Sequence, residues 1–244
     1  RAPVAQAVTL FHPRDHRPVF VIPWEGATLA GTTDIDHRQP LDEEPRAEWS
    51  EVEYVLEALT LRFPAWRLSA EDMVASFAGV RPIVASGKGV DPHKESRRHV
   101  VLEENGLITV VGGKLTTFRR MALDTLSQAR IVWPELPVPG DQERVFAPLP
   151  VDISYTPTLD NRARRRLLGR YGADTAAVIA AAAPGEWDVI PGTDACWVEL
   201  RWAARSEQVC HLDDLLLRRT RLGLFLPVGG TDLLPAVLAM CAEE

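Results

Sequence analysis

Three stretches of this sequence carry residue types that could do chemistry. Gly31-Thr32-Thr33-Asp34 places two hydroxyls and an acid after a glycine. Arg81, inside Gly79-Val80-Arg81-Pro82, and Arg97-Arg98 supply guanidinium forks. Two such forks converging on one anion would clamp a phosphate or carboxylate with charge-assisted hydrogen bonds. Gly112-Gly113-Lys114-Leu115-Thr116-Thr117 reads as the end of a strand, a flexible backbone step and the start of a helix. The unpaired N–H groups of a helix start and its dipole make an electropositive corner, to which Lys114 adds a full charge. Each stretch has a plainer alternative: an Asx- or ST-type turn, surface salt bridging, and an ordinary glycine-linked strand–helix turn.

Several chemistries are excluded. No GxGxxG occurs, so the pyrophosphate turn of a dinucleotide fold is absent from these residues. Gly113-Lys114 is not a P-loop: Ile108 stands where the first glycine belongs, and Leu115 where Ser or Thr must follow the lysine. The six histidines support no metal site. Cys196, Cys210 and Cys241 are odd in number and far apart, which fits neither a disulfide framework nor a zinc knuckle and points to a reducing, cytoplasmic setting. The net charge of −7 argues against nucleic acid. No run approaches the roughly 20 apolar residues of a membrane span, and no signal peptide opens the chain.

The 244 residues, 46% hydrophobic and 25% charged, describe a globular protein of one large or two small domains. Strands are expected at 6–11, 19–24 and 27–31, with Glu25-Gly26 a tight turn. Apolar residues at three- and four-residue steps from Trp49 to Phe63 predict a helix over 47–63, with Ser50 and Glu53 suited to a capping box and Pro64 ending it. Strand character returns at 73–84 and 99–111, where Asn105-Gly106 is a strong hairpin signal. A helix follows from about Leu115 to Ala129. Residues 133–150 hold five prolines and read as a linker. Beyond it the sequence predicts helices at 159–171, 173–183, 194–204, 212–222 and 233–242. The arginines at 162, 164, 165, 166 and 170, and those at 218, 219 and 221, read as solvated helix faces or as contacts to anionic lipid or an acidic partner. The fold class is α+β: a mixed part over 1–132, the linker, and an all-helical domain over 151–244.

Taken together and in order, Val21-Ile22-Pro23-Trp24, Gly31-Thr32-Thr33-Asp34, Phe77–Pro82, Lys94-Glu95-Ser96-Arg97 and Gly112–Phe118 resemble the second half of the FAD-dependent glycerol-3-phosphate dehydrogenases, flavoproteins of the D-amino-acid-oxidase-like superfamily. The helical tail fits too, above all Leu215–Leu224. The resemblance runs from about residue 6 to 240. It implies part of a substrate-binding antiparallel sheet, the last piece of the FAD-binding fold and a helical C-terminal domain. The family's glycine-rich half would lie in a longer protein, as the opening at Arg1 straight into strand-like sequence also leads one to expect.

The resemblance implies oxidation of sn-glycerol 3-phosphate to dihydroxyacetone phosphate, with hydride passing to FAD and electrons to a quinone. It implies Thr32, Arg81 and Arg97 as substrate contacts, and Gly113, Lys114, Leu115 and Thr116 as flavin contacts. Arg98 follows Arg97 where the family often carries an acid; Arg97 is the one favoured. The catalytic base is unassigned. Peripheral attachment to the inner membrane face and a homodimer are further expectations. The alternatives are a glycerophosphate oxidase using oxygen or, for the isolated chain, a non-catalytic interaction module.

Overall fold

The computed structural model describes residues 4–83, 98–146, 148–149 and 159–242. By packing, the chain forms two units: residues 1–78 with 147–244, and residues 79–146. This cut differs from the one drawn by composition, because the proline-rich stretch up to Phe146 goes with the hairpin and helix that precede it. The described elements are helices with small antiparallel sheets, and those after residue 158 are helical.

In the first unit, β1 (Val8–Phe11), β2 (Pro18–Trp24) and β3 (Ala27–Gly31) form an antiparallel sheet in sequence order. Glu25 and Gly26 both have positive φ, as a two-residue type I′ turn requires. Period-2 alternation puts Leu10, Val19 and Val21 on one face, where they pack with Ala58 and Leu59 of α1 (Trp49–Arg62). Phe11 and Phe20 stand exposed on the other.

The α1 cap is formed by Glu48 and Glu51, not Ser50 and Glu53: the Glu48 N–H donates to the Glu51 carboxylate at 2.9 Å. Trp49 lies at the exposed end of the expected stripe, its indole N–H donating to Glu53.

His12 and His16 are four residues apart but flank a turn, not a helical face. His12 is fully buried and stacks on Tyr54 at 3.6 Å between centroids. Its Nδ1 accepts from the Arg14 N–H, which leaves Nε2 to donate to the Tyr54 carbonyl. It is a packed structural residue.

Residues 73–83 are irregular rather than a strand. Apolar residues alone cannot make a strand; the backbone groups need a ladder partner, and no strand among the described residues pairs with this segment. Met73, Val74, Phe77, Val80 and Ile83 remain exposed.

The helical part holds α3 (Asn161–Tyr171), α4 (Thr175–Ala180), α5 (Trp197–Ser206), α6 (Leu222–Phe225) and α7 (Leu234–Cys241). Asp160 caps α3 by accepting from the Ala163 N–H at 2.7 Å. One core gathers Leu200, Leu215, Leu222 and Val237; another gathers Leu167, Val178, Cys196 and Val198. Burial and the nearby Glu199 push the Cys196 thiol up to about 11, so it stays protonated and serves as packing. Asp214–Arg219 is a π-helical stretch, in which the Thr220 N–H and hydroxyl both reach the Leu215 carbonyl, at 2.9 and 2.6 Å. Arg221 then takes a left-handed φ of 61° and breaks the expected 212–222 helix.

Two arginines read from sequence as part of a solvated face turn inward instead. Arg166 Nε donates to Glu25 Oε2 at 3.0 Å and its Nη1 to Glu199 Oε1 at 2.7 Å. Arg170 Nη1 donates to Glu25 Oε1 at 3.1 Å and its Nη2 to the Arg219 carbonyl at 2.5 Å. The Tyr171 hydroxyl donates to Glu199 at 3.0 Å, and Glu199 is 1% exposed. Burial opposes the Arg166 charge, but the two carboxylates outweigh it and raise its pKa. Burial, with Glu199, also holds the Tyr171 phenol well above its usual value.

The second unit is simpler. β4 (Val100–Glu104) and β5 (Leu107–Val111) make an antiparallel hairpin whose turn, Asn105-Gly106, has positive φ at both residues. A single 3-10 turn, Leu115–Thr117, leads into α2 (Phe118–Val132).

Candidate functional site

The Gly112–Thr117 segment is built as its sequence predicts. β5 ends at Val111, and Gly112 and Gly113 follow with φ of +78° and +88°, which side chains rarely adopt. Space also demands glycine. A Cβ on Gly112 would lie 2.7 Å from the Arg98 carbonyl oxygen. One on Gly113 would collide with Met121 Sδ and meet His99 Cβ at 3.4 Å. The close approach brings the start of β4 and the first turns of α2 against the glycines.

Lys114 is extended, and its N–H donates to Thr117 Oγ1 at 3.1 Å. The Thr117 hydroxyl donates to the Lys114 carbonyl at 2.9 Å, which fixes the turn. The N–H groups of Leu115 and Thr116 stand at the first helical positions, where no intrahelical acceptor exists. Lys114, Leu115 and Thr116 are exposed, Leu115 at 90%. The corner thus offers backbone donors, a positive dipole end and an ammonium group to an electron-rich partner.

Sequence reasoning missed a pair that braces this corner. His99 reads as a solvated strand start, yet it is mostly buried and its Nε2 lies 2.8 Å from Asp124 Oδ2 on α2. Arg120 grips the same carboxylate through Nε at 3.1 Å and Nη2 at 2.9 Å. The His99 hydrogen bond, with help from Arg120, holds Asp124 below the usual carboxylate range. Arg120 and Asp124, four apart on α2, were the only local signal; the histidine partner lies 25 residues away.

The other expected site residues are spread over the chain. Thr32 is exposed, directly after β3, and the Gly31–Thr32 peptide is cis. Its neighbours are anchored: the Thr33 hydroxyl donates to the Glu51 carboxylate, and Arg17 Nη1 donates to the Asp34 carbonyl at 3.0 Å. Arg81 is exposed on the irregular segment. Arg97 lies outside the described residues, as does Lys94. Gly113–Thr116 form one turn, whereas Thr32 and Arg81 belong to different units. His211, Asp213 and Asp214 have ligand-type atoms within 4.8 Å of one another, but Arg218 already pairs with both acids, at 2.7 and 3.1 Å.

Residues 2–119 match the family model described as FAD dependent oxidoreductase, and residues 117–244 match the C-terminal domain of alpha-glycerophosphate oxidase. The chain belongs to this flavoprotein family. Among its relatives, glycerol-3-phosphate dehydrogenase 2 of Mycobacterium tuberculosis (strain H37Rv) is 34% identical over 243 residues, which cover 93% of this chain and 39% of that protein. The aerobic glycerol-3-phosphate dehydrogenase of Bacillus subtilis is 41% identical over 121 residues, 49% of this chain and 21% of that protein. The glycerol-3-phosphate dehydrogenase from Bacillus halodurans, solved complexed with FAD, superposes with a TM-score of 0.71 at 26% identity over 99% of this chain and 49% of its own. The chain therefore spans less than half the length of these family members.

The described residues fit the cofactor that the family name implies. Gly112 and Gly113 let the backbone turn at positive φ into the start of α2, where Lys114, Leu115 and Thr116 are exposed. Among the described residues no helix is long and apolar enough to cross a membrane.

Proposed function

We propose that this chain is part of an FAD-dependent glycerol-3-phosphate dehydrogenase that oxidises sn-glycerol 3-phosphate to dihydroxyacetone phosphate. The observation that carries the reading is the Gly112–Thr116 corner, an exposed helix start carrying Lys114 that follows two glycines at positive φ. It lies at the junction of the two family matches, whose relatives are named for this activity. Bound flavin supplies the hydride acceptor. The Leu115 and Thr116 amides, the helix dipole and Lys114 would hold an electron-rich edge of that ring and favour negative charge there. Arg81 and Arg97 hold the phosphate dianion through guanidinium hydrogen bonds, and Thr32 orients the polyol. Domains follow the sequence reading: 1–132, a linker over 133–150, and 151–244.

Electrons pass on to a quinone at the cytoplasmic face of the membrane, where the protein sits peripherally. The C-terminal family model is named for an oxidase, which favours oxygen as the acceptor in a second reading. The rate at which air restores the oxidised flavin separates the two.

Kinetics of the full-length protein test the substrate assignment. Arg81→Ala and Arg97→Ala should each raise KM for sn-glycerol 3-phosphate by about 10- to 100-fold, the loss of a hydrogen bond to a charged group. Wild-type KM in both variants would remove the clamp from the account.

A further inference from the structure

We propose that the helical domain positions the Thr32 segment through Glu25, with Arg166, Arg170 and Arg221 as the clamp. The proposal rests on the dehydrogenase reading and gives the helical domain a task within it.

A two-residue hairpin tip is ordinarily a solvated place where fraying begins. Here Trp24 and Glu25 are both engaged. Trp24 meets Phe225 edge-on at 4.8 Å between centroids, and the Arg221 guanidinium lies over its ring at 5.4 Å. Glu25 takes the Arg166 and Arg170 hydrogen bonds, with Arg221 Nη2 at 3.5 Å. The guanidinium groups of Arg166 and Arg170 are themselves fixed from behind. The buried Glu199 carboxylate and the Arg219 carbonyl hold them, and Glu199 is tied to Tyr171 and to the Cys196 N–H. The Arg221 approach depends on the left-handed break after the π-helical stretch.

From this clamp the chain runs as β3, every residue of which is registered against β2. Such a strand transmits position along its length. At its far end come Thr32, then Thr33 and Asp34 on their Glu51 and Arg17 anchors. Thr32 thus sits between two fixed points, one supplied by α1 and the β1–β2 turn and the other by the helical domain. Glu25 touches no substrate; it is a positioning residue.

The test uses the full-length holoenzyme and Glu25→Gln, which removes the charge and keeps the shape. Two readouts are taken: steady-state kinetics with sn-glycerol 3-phosphate, and hydrogen exchange of the amides over 27–34. The expected result is a KM raised about tenfold through lost orientation, with kcat changed less and flavin content unchanged, together with faster exchange over 27–34. Arg170→Lys, which keeps a charge opposite Glu25, should restore most of both values relative to Arg170→Ala. Unchanged KM and unchanged exchange overturn the proposal, even if the melting temperature falls. Should wild-type enzyme fail to turn over sn-glycerol 3-phosphate, the dehydrogenase reading fails. The exchange result then still decides whether Glu25 fixes the strand. If Glu25→Gln does not fold, Arg221→Leu at the rim of the same clamp is read by the same two assays.

Discussion

Two basic regions of this molecule look alike in sequence and differ in what they do with their charge. Arg166 and Arg170 of α3, and Arg221 just before α6, face carboxylates of the same chain. Glu25 and Glu199 between them engage Arg166, Arg170 and Arg221. The Gly112–Thr116 corner carries less charge but turns it outward. Its lysine is exposed, its first helical amides have no intrahelical acceptor, and Asp124 on α2 is held by His99 and Arg120. A count of cations alone does not distinguish the two regions. What separates them is where the counter-charge sits.

That contrast can be broken at four places, taken here from the largest expected effect. Glu199→Gln leaves two guanidinium groups facing a buried neutral amide, and should cost about 3–5 kcal/mol of stability, read as the unfolding free energy of the full-length protein. An unchanged midpoint would mean that the network is decorative. Gly113→Ala comes next. It forces a Cβ onto Met121 at a φ of +88°, and a cost of about 1–3 kcal/mol should appear together with substoichiometric flavin. Full flavin occupancy in this variant would dissociate the turn from the cofactor.

Lys114→Met sharpens the comparison instead. It should leave the melting temperature alone and make the flavin reduction potential more negative, because a positive charge near the reduced ring is lost. An unmoved potential argues against the contact. The smallest effect concerns acid. The Asp124 carboxyl is held below its ordinary value, so its contribution to stability is complete above about pH 4 and is lost as pH falls through the lowered native value. Asp124→Asn should flatten that part of the pH–stability curve; an identical curve would show that the His99 hydrogen bond does not stabilise the second unit.

Local chemistry made much of the fold legible. Asn105-Gly106 and Glu25-Gly26 both form turns with positive φ at each residue, and the Gly112-Gly113 step is where strand gives way to helix. The α1 stripe placed the helix to within two residues at its start, although the cap moved to Glu48 because Glu51 is three residues on and reaches its N–H. What escaped was long-range pairing. Arg166 meets Glu25 across 141 residues of sequence, and periodicity on α3 cannot report that. The same holds for His99 and Asp124. The π-helical turn at Asp214–Arg219 depends on Thr220 reaching back to Leu215, a choice settled by packing rather than propensity. Residues 73–83 had the apolar pattern of a strand and lacked the partner.

The central claim is that the Gly112–Thr116 corner faces a flavin reduced by a polyol phosphate. The most direct measurement is the absorbance of the full-length protein, without oxygen, as sn-glycerol 3-phosphate is added. The account predicts a flavin band near about 450 nm that bleaches on addition of this substrate. A bound flavin that keeps its colour would contradict the substrate assignment, and a protein with no flavin would contradict the corner itself, leaving the interaction-module reading in its place.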